Sequence, residues 1–444
     1  MAEAHGIVIV GGGICGLATA LALHRKGIAS LVLEKSEVLR AEGAGIGVQA
    51  NGWRALEQLG VAGELRKTAG LITSYHDVWM QGDKTTRDRY PVRTELRCLN
   101  RKDLIEALAK DLPAAAIRFG CRIAAVHEDP GGRGAAVLTM ADGTTIKAKV
   151  TRQETCNHAH TSSCHHQVID RLDHFHSPSE LKLLSTMQVL IGCDGGTNSV
   201  VARYLGLPPV RTIPRPVLRG FTSYPHGHPF ENEFLRLRVG DFFIGRLTIT
   251  DTLVHFFVTM PAPSAADAGL AGADLRDVRD HVLKELEDHR CPAEITEVVR
   301  GSDPESLNLV TKFWYRPPWE VALGGFRKGA VTVAGDAMHA MGPFIGQGGS
   351  AGLEDAVVLA RPLARAAGGA GEGEDDGEGV VGGAIEAYIR ERRLRLALLS
   401  LESYIMGVLL VRSPSPVVKL ACVAVLVLLG SKSLRHANFD CGRL

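Results

Sequence analysis

A chain of 444 residues with 45% apolar content is long enough for two or three domains and can fill more than one hydrophobic core. Its formal net charge of +1 gives the chain as a whole no attraction to nucleic acid or to an anionic membrane. Nine cysteines without a recurring spacing argue against a disulfide framework and fit a reducing compartment.

The first strand is expected at Ile7–Val10, with neither a basic, serine-rich leader nor an apolar signal segment before it, so the expected location is cytoplasmic. Gly11-Gly12-Gly13-Ile14-Cys15-Gly16 follows, then an Ala/Leu-rich helix, then a second strand, Leu31–Leu33, closed by Glu34. This is the G-x-G-x-x-G layout of a β-α-β dinucleotide site. Gly11 permits the turn, Gly13 lets the backbone approach a pyrophosphate, and Gly16 allows close packing of helix on sheet. The helix N-terminus offers unpaired N–H groups to phosphate, and Glu34 can accept hydrogen bonds from a ribose.

A polar link at 40–47 leads to a helix at 51–60 with Gly60 as its C-cap. Antiparallel strands are expected over 71–98 with a turn at Gly82-Asp83. Asn100 then caps a helix, Arg101–Lys110, and a small meander occupies 117–149.

Residues 150–188 fit neither pattern. Cys156, Cys164 and six histidines invite a zinc reading, but their spacing has no C-x2-C unit, and a disordered polar insert is the expectation. Excising Val150–Gln188 joins Lys149 directly to Val189, and the terminal codons are compatible with an in-frame retained intron. A long structureless insert inside a compact unit is itself abnormal.

Val189–Gly192 is a strand ending in Cys193-Asp194-Gly195, followed by a short helix at 200–205. From 210 to 330 the pattern is β-rich, with an amphipathic helix after Asp274. Val331–Ala334 opens another strand that runs into Gly335-Asp336, then Pro343 and Gly346-Gln347-Gly348, then a helix from Ala351 that Pro362 should end or kink. Gly368–Gly383 reads as a solvated loop. Ile385–Tyr404 reads as a helix whose Arg392, Arg393 and Arg395 form a solvated face. The apolar run Leu420–Leu429 is about half of a transmembrane length and reads first as a helix buried on the N-terminal domain, with weak peripheral membrane contact as the alternative. Asp336 can reach cofactor hydroxyls, and the N–H groups heading the helix after Gly346 suit negative charge.

Taken together, the ordered strings resemble those of the single-component FAD-dependent aromatic-ring monooxygenases, the group of salicylate and para-hydroxybenzoate hydroxylases. Within it the chain is similar to plant monooxygenases related to zeaxanthin epoxidase. The strings are Gly11-x-Gly13-x-x-Gly16, Asp194-Gly195, Gly335-Asp336-Ala337-Met338-His339 through Pro343, Gly346-Gln347-Gly348 and Glu354-Asp355. Only 150–188 and the acidic glycine loop fall outside the resemblance. It implies an α/β fold: a Rossmann-like FAD-binding domain of glutathione-reductase type, a mixed β-sheet substrate domain and a C-terminal helical region. The FAD-binding parts would be 1–75, 101–209 and 326–366, and the substrate parts 76–100 and 210–325. The acidic loop would be 367–383 and the helical region 384–444.

By resemblance, Glu34 binds the adenosine ribose, Arg40 and Arg101 line the FAD, and Asp336 binds the ribityl chain. Asp194-Gly195 is associated with both FAD and NAD(P)H. Ile14, Lys35, Pro343, Gly346, Gln347 and Gly348 complete the expected cofactor contacts. The family's G-x-x-P is replaced by Gly245-Arg246-Leu247-Thr248, and its Tyr-Trp-Phe by His255-Phe256-Phe257. The implied chemistry uses NAD(P)H, O2 and a C4a-hydroperoxyflavin to hydroxylate or epoxidise an electron-rich aromatic or isoprenoid-like small molecule. It requires no metal, no nucleic-acid partner and no protein nucleophile. The alternatives are a non-hydroxylating flavin oxidase or reductase, and a catalytically inactive splice-variant product.

Overall fold

The structure, a computed structural model, describes residues 3–4, 6–39, 45–128, 136–147, 188–261, 272–368, 377–409, 415–428 and 435–444. Arg40, the expected insert up to residue 187 and residues 369–376 of the acidic loop lie outside the described residues.

Short apolar runs bounded by glycine form a six-stranded sheet. Its main members are β1 (Ile7–Val10), β2 (Leu31–Leu33), β7 (Val189–Gly192) and β13 (Val331–Val333), ordered β13-β7-β1-β2 and all parallel. Strands of three or four residues buried along their whole length suit a parallel sheet covered on both faces. Helix α1 (Ile14–Arg25), buried from Gly16 through Leu23, packs against α7 (Gly348–Gly368). Alanines at 18, 20 and 22 allow that close approach. A three-stranded sheet joins β3 (Gly45–Gln49) to β6 (Leu96–Asn100) and Gly70–Leu71. Helix α2 (Ala50–Leu59) ends at Gly60 with φ 79°, and α3 (Arg101–Lys110) begins where the Asn100 side chain accepts the Lys102 N–H.

Strands β4 (Ser74–Gln81) and β5 (Lys84–Pro91) form the expected hairpin and join a seven-stranded sheet. Its other strands are β8 (Arg211–Ser223), β9 (Glu233–Val239), β10 (Phe242–Thr250), β11 (Leu253–Thr259) and β12 (Asn308–Tyr315), in the order β12-β8-β11-β10-β9-β4-β5. The strand at 96–100 does not join them: it returns to β3, so a chain segment that visits the second sheet leads straight back to α3 and Arg101. Helices α5 (Leu275–Asp288) and α6 (Ala293–Arg300) cover one face with Val278, Val282, Leu286, Ile295 and Val299 in a shared core. Helix α4 (Val200–Tyr204) follows β7.

Three expectations are revised at the C-terminal end. Of the two outcomes expected at Pro362, an end or a kink, the first does not occur: Pro362 lies inside α7. Helix α8 (Gly377–Tyr404) starts well inside the stretch expected to be loop, and its glycines are carried by the apolar face that continues through Ile385 and Ile389. The third concerns α9 (Pro416–Leu428), which is not buried on the N-terminal domain: only Cys422 and Leu426 are covered, by Ile405 and its neighbours.

Around the expected insert the strand registers are informative. The short strand Glu3–Ala4 runs parallel to Thr145–Lys147 with Ala4 opposite Lys147, and Ile7 lies opposite Val189. Joining Lys149 to Val189 would put Val189 three positions after Lys147, the same separation as Ala4 and Ile7. One continuous strand would then serve both registers. Deleting residues 150–188 is therefore expected to leave the protein folded, with an unchanged or higher melting temperature and unchanged flavin content; an insoluble deletion product would contradict the register argument. As a core control, Leu21→Ala is expected to cost about 2–5 kcal/mol in urea unfolding.

Candidate active site

The positions of the three glycine-bearing turns follow from strand register. Gly192 pairs with Val10 on one side and with Val333 on the other, so the turns after β1, β7 and β13 leave the sheet side by side. At about 4.8 Å per strand they converge on one crevice at the carboxyl end of the sheet.

Gly11 has φ 105°, and a side chain there would strike the Cys193 carbonyl; one at Gly16 would strike the Gly11 carbonyl. Gly13 has nothing within 4 Å of the place a Cβ would occupy, so its backbone faces open space. Gly335 has φ 61°, and a Cβ on it would lie 2.8 Å from Cys15 Cβ. The β13 turn thus rests directly on the first turn of α1.

Glu34, buried at the end of β2, accepts the Gly12 N–H at 2.7 Å and the Ser36 N–H at 3.0 Å. Those bonds fix its carboxylate beside the glycine turn, and a carboxylate there suits hydroxyl donors. Lys35 is exposed next to it. Asp336 is open to the crevice, yet protein encloses it on most sides, and that enclosure raises its carboxyl while His339 and Arg101 pull the other way. Arg101, in the first turn of α3, also acts on Arg219 of β8, tying the crevice to the second sheet.

Other expected contacts have duties of their own. Asp194 accepts the Ser199 hydroxyl and the Val200 N–H, both at 2.6 Å, so its carboxylate holds the turn into α4. Gly195 has φ 83° and open space where a Cβ would be. Gln347 points inward, exchanging hydrogen bonds with Asn51 at 2.7 and 3.3 Å. Pro343 starts a short 3-10 turn ending at Gly346, with φ 62°, and Gly348 begins α7. A Cβ on Gly349 would lie 3.0 Å from Ile46 and 4.0 Å from Ile14, so the α7 N-terminus reaches the same crevice.

A buried ionic cluster lies behind this turn. Asp355 accepts the Gly335 N–H at 2.9 Å, His339 Nε2 at 2.6 Å and Arg392 Nε at 2.7 Å, while Arg392 also pairs with Glu354 at 2.6 Å. Asn51 donates to Glu354 at 2.6 Å. Arg392 is thus fully buried, which corrects the expected solvated face. Its position completes the apolar stripe Ile385, Tyr388, Ile389, Leu396 and Leu399, and the two carboxylates on α7 supply its partners. Arg393 caps the carbonyls of Ala322 and Gly324, and Arg395 pairs with Glu354 at 3.0 Å. Burial alone would raise the Asp355 carboxyl; His339 and Arg392 outweigh it and bring it down to about 2.

The wall facing this crevice is aromatic. Arg219, Phe257 and Gly245 stand in one row across β8, β11 and β10, and Phe221, His255, Leu247 and Phe234 in the next. Gly245 makes room for the Phe257 ring, which is 5.8 Å from Phe243 and 6.3 Å from Phe234. A Cβ on Gly45 would sit 2.6 Å from the His255 ring, so β3 closes the wall onto the crevice. His255 is turned to the Gly220 carbonyl at 3.0 Å, and burial lowers its pKa to about 4, so the imidazole is neutral at ordinary pH. Arg219 Nε donates to Asn308 Oδ1 at 3.0 Å; burial and then Arg101 lower its pKa. Arg219 and Asn51 were not legible as site residues, because neither stands in a glycine string.

The donor set fits an extended dinucleotide: open backbone at Gly13 and Gly195, two helix N-termini for negative charge, and two carboxylates for hydroxyls. A family profile described as "FAD binding domain" matches residues 5–151 and 186–376, leaving out most of the segment that the sequence sets apart. The chain is 43% identical over 450 residues to Monooxygenase 1 of Arabidopsis thaliana, covering 100% of both. It is 32% identical to Monooxygenase 2 of the same plant, covering 99% of this chain and 98% of the relative. Among solved structures, Klebsiella pneumoniae HpxO complexed with FAD and uric acid superposes with TM-score 0.67 at 20% identity, covering 99% and 96% of the two chains.

Arg392→Ala would strip both buried carboxylates of their shared guanidinium, leaving Glu354 only Arg395 and Asp355 only His339 among their side-chain ion-pair partners in the described residues, and is expected to cost about 3–5 kcal/mol in urea unfolding. Asp355, depressed from 3.8 to about 2, stabilises the fold fully above about pH 4 and loses that contribution as pH falls through 2. The difference corresponds to about 2 kcal/mol. The acid limb of a stability-against-pH curve should be correspondingly shallower in Asp355→Asn.

Proposed function

Since this chain belongs to the family of FAD-dependent monooxygenases, we propose that it oxidises NAD(P)H, reduces O2 and inserts one oxygen atom into an electron-rich aromatic compound bearing an acidic or strongly polar substituent. FAD, when bound, supplies the redox and oxygen-transfer chemistry. The observation that carries the reading is the convergence of Gly11–Gly16, Gly335-Asp336 and the α7 N-terminus on a crevice faced by an aromatic wall.

In this reading Gly13 and Ile14 admit the pyrophosphate to the α1 N-terminus, Glu34 holds the adenosine ribose, and Asp336 holds the ribityl hydroxyls. Lys35, Arg101, Gly195 and Pro343 line the remaining length, with Arg40 expected there from sequence. The backbone N–H groups after Gly346 would offer donors to negative charge on the bound flavin, while the Gln347 side chain fixes that loop through Asn51. Asp194 acts by shaping the turn. Phe257, Phe243 and Phe234 hold the ring of the substrate, and Arg219 holds its acidic group. Neutral His255 adds no competing charge. The wall's aromatic character and the half-buried Arg219 guanidinium favour an aromatic acid over the isoprenoid-like substrate suggested by the zeaxanthin-epoxidase resemblance; Arg236, on the same face, is already paired with Asp77 at 2.7 Å.

Purified protein should carry FAD near one per chain and consume NAD(P)H with oxygen incorporated into product. Peroxide released in equal amount, without oxygenated product, would favour a non-hydroxylating oxidase, and folded protein without flavin the inactive splice-variant alternative. Asp336→Ala should weaken flavin binding by roughly tenfold or more with unchanged circular dichroism, as expected for losing a hydrogen-bond acceptor of about 1.5–3 kcal/mol. Arg219→Gln should raise KM for acidic aromatic substrates roughly tenfold, and uncharged analogues much less.

A further inference from the structure

We propose that α9, with the turn Ile405–Leu409 that carries it, docks the protein on an anionic lipid bilayer by entering the boundary between headgroups and hydrocarbon. Of its 13 residues only Cys422 and Leu426 are covered, while Val417, Leu420 and Leu428 stand 74%, 72% and 82% exposed. Exposed Val418, Val423, Val425 and Val427 extend the apolar surface. At 100° per residue these side chains sweep about 220° of the circumference, far wider than the stripe a packed helix needs. A protein partner, or a second copy of this chain, would cover one side; lipid chains surround all of it.

Charge and length agree. Lys419, the one charged residue of α9, lies at the edge of the anchored side, where its ammonium can stay in water while its stem lies along apolar surface. No aspartate or glutamate occurs between Glu402 and Asp440, whereas Arg412, Lys419, Lys432 and Arg435 do. This local excess is hidden in the near-zero charge of the whole chain and complements anionic headgroups. At about 20 Å, α9 is too short to cross a hydrocarbon core of about 30 Å, and among the described residues no helix is long and apolar enough to do so.

Amphipathic aromatics stand at its base. Trp319, 45% exposed, meets Tyr404 edge-on at 5.7 Å, and Tyr404 immediately precedes the turn whose Met406 is also exposed. Such rings favour the headgroup level. In the same turn, Gly407 is pressed against the Phe344 ring, beside Gly346 and the α7 N-terminus. The docking element is therefore built onto the loop next to the crevice, and bilayer contact would place that loop near the lipid surface.

Full-length, flavin-loaded protein should co-sediment with vesicles of phosphatidylcholine mixed with phosphatidylglycerol, and more weakly with phosphatidylcholine alone. The triple substitution Leu420→Ser, Val423→Ser and Val427→Ser should lower partitioning roughly tenfold or more. Lys419→Glu should lower it severalfold on anionic vesicles only. All three positions of the triple variant are exposed, so flavin content and NAD(P)H oxidation in solution should match wild type, which keeps this test separate from that of the activity. The proposal is overturned if wild type stays in solution with both kinds of vesicle, or if the triple variant binds as tightly as wild type. It is equally overturned if light scattering shows a wild-type oligomer that the triple variant dissolves without any vesicle binding, since a second copy would then be what covers α9.

Discussion

Parallel pairing of β7 with both β1 and β13 is the constraint on which the site depends. None of the three strands exceeds four residues, so a shift of one position would move a whole turn by about 3.3 Å and reverse its side chains. Gly192 is also fixed by packing: a Cβ there would lie 2.5 Å from Val201 Cβ. The middle strand therefore sets the height at which Gly11, Gly195 and Gly335 emerge. The two outer turns are then locked to each other, since Gly335 rests on Cys15 at the start of α1.

Charge buried behind the β13 turn gives that arrangement its stiffness. Asp355 receives a backbone N–H, an imidazole and a guanidinium, and so the geometry of Gly335-Asp336 depends on a side chain of α8 far along the chain. A buried pair of this kind adds little net stability over an apolar substitute, but it tolerates few alternative positions. Its carboxylate must face Gly335, and that orientation leaves Asp336 free to face the crevice. Glu354 does the same for the neighbouring loop through Asn51 and Gln347. The adjacent acids of α7 thus hold the two glycine-bearing segments that approach the crevice from that side.

Local signals in the sequence were sufficient for the parts that local chemistry determines. Glycines with positive φ, Asn100 and Asp274 as caps, and alternating apolar residues marked turns, helix starts and strands. What the sequence hid was long-range. Arg392 looked like one of three solvated arginines, although its place in the stripe with Tyr388 and Leu396 pointed inward. Arg219 lies in a strand whose facing direction depends on the register with Phe257, and register across a seven-stranded sheet is set by all its members. Gln347 stands in a glycine string yet turns its amide inward, because its partner Asn51 is nearly 300 positions away in sequence. Pro362 shows the opposite limit, a strong local breaker carried through by a helix buried along its inner side.

The same topology bears on the segment between Lys149 and Val189. It joins β7 at Val189, the end of the strand remote from the crevice and about 10 Å from Gly192. Its flanks are held by neighbouring positions of a single partner stretch, Ala4 and Ile7, so a closed loop at that point need not disturb either register. If an insertion of some 40 residues stayed unstructured, closing it would cost about 3 kcal/mol in chain entropy. That would be appreciable beside a domain stability of roughly 5–15 kcal/mol, but it would fall on the fold as a whole and not on the turn carrying Asp194. The hydrogen bonds from Ser199 and Val200 to Asp194 are intact beyond the strand. An interruption at this entry point therefore acts on the amount of folded protein, whereas the shape of the crevice in each folded molecule is set from the other end of the sheet.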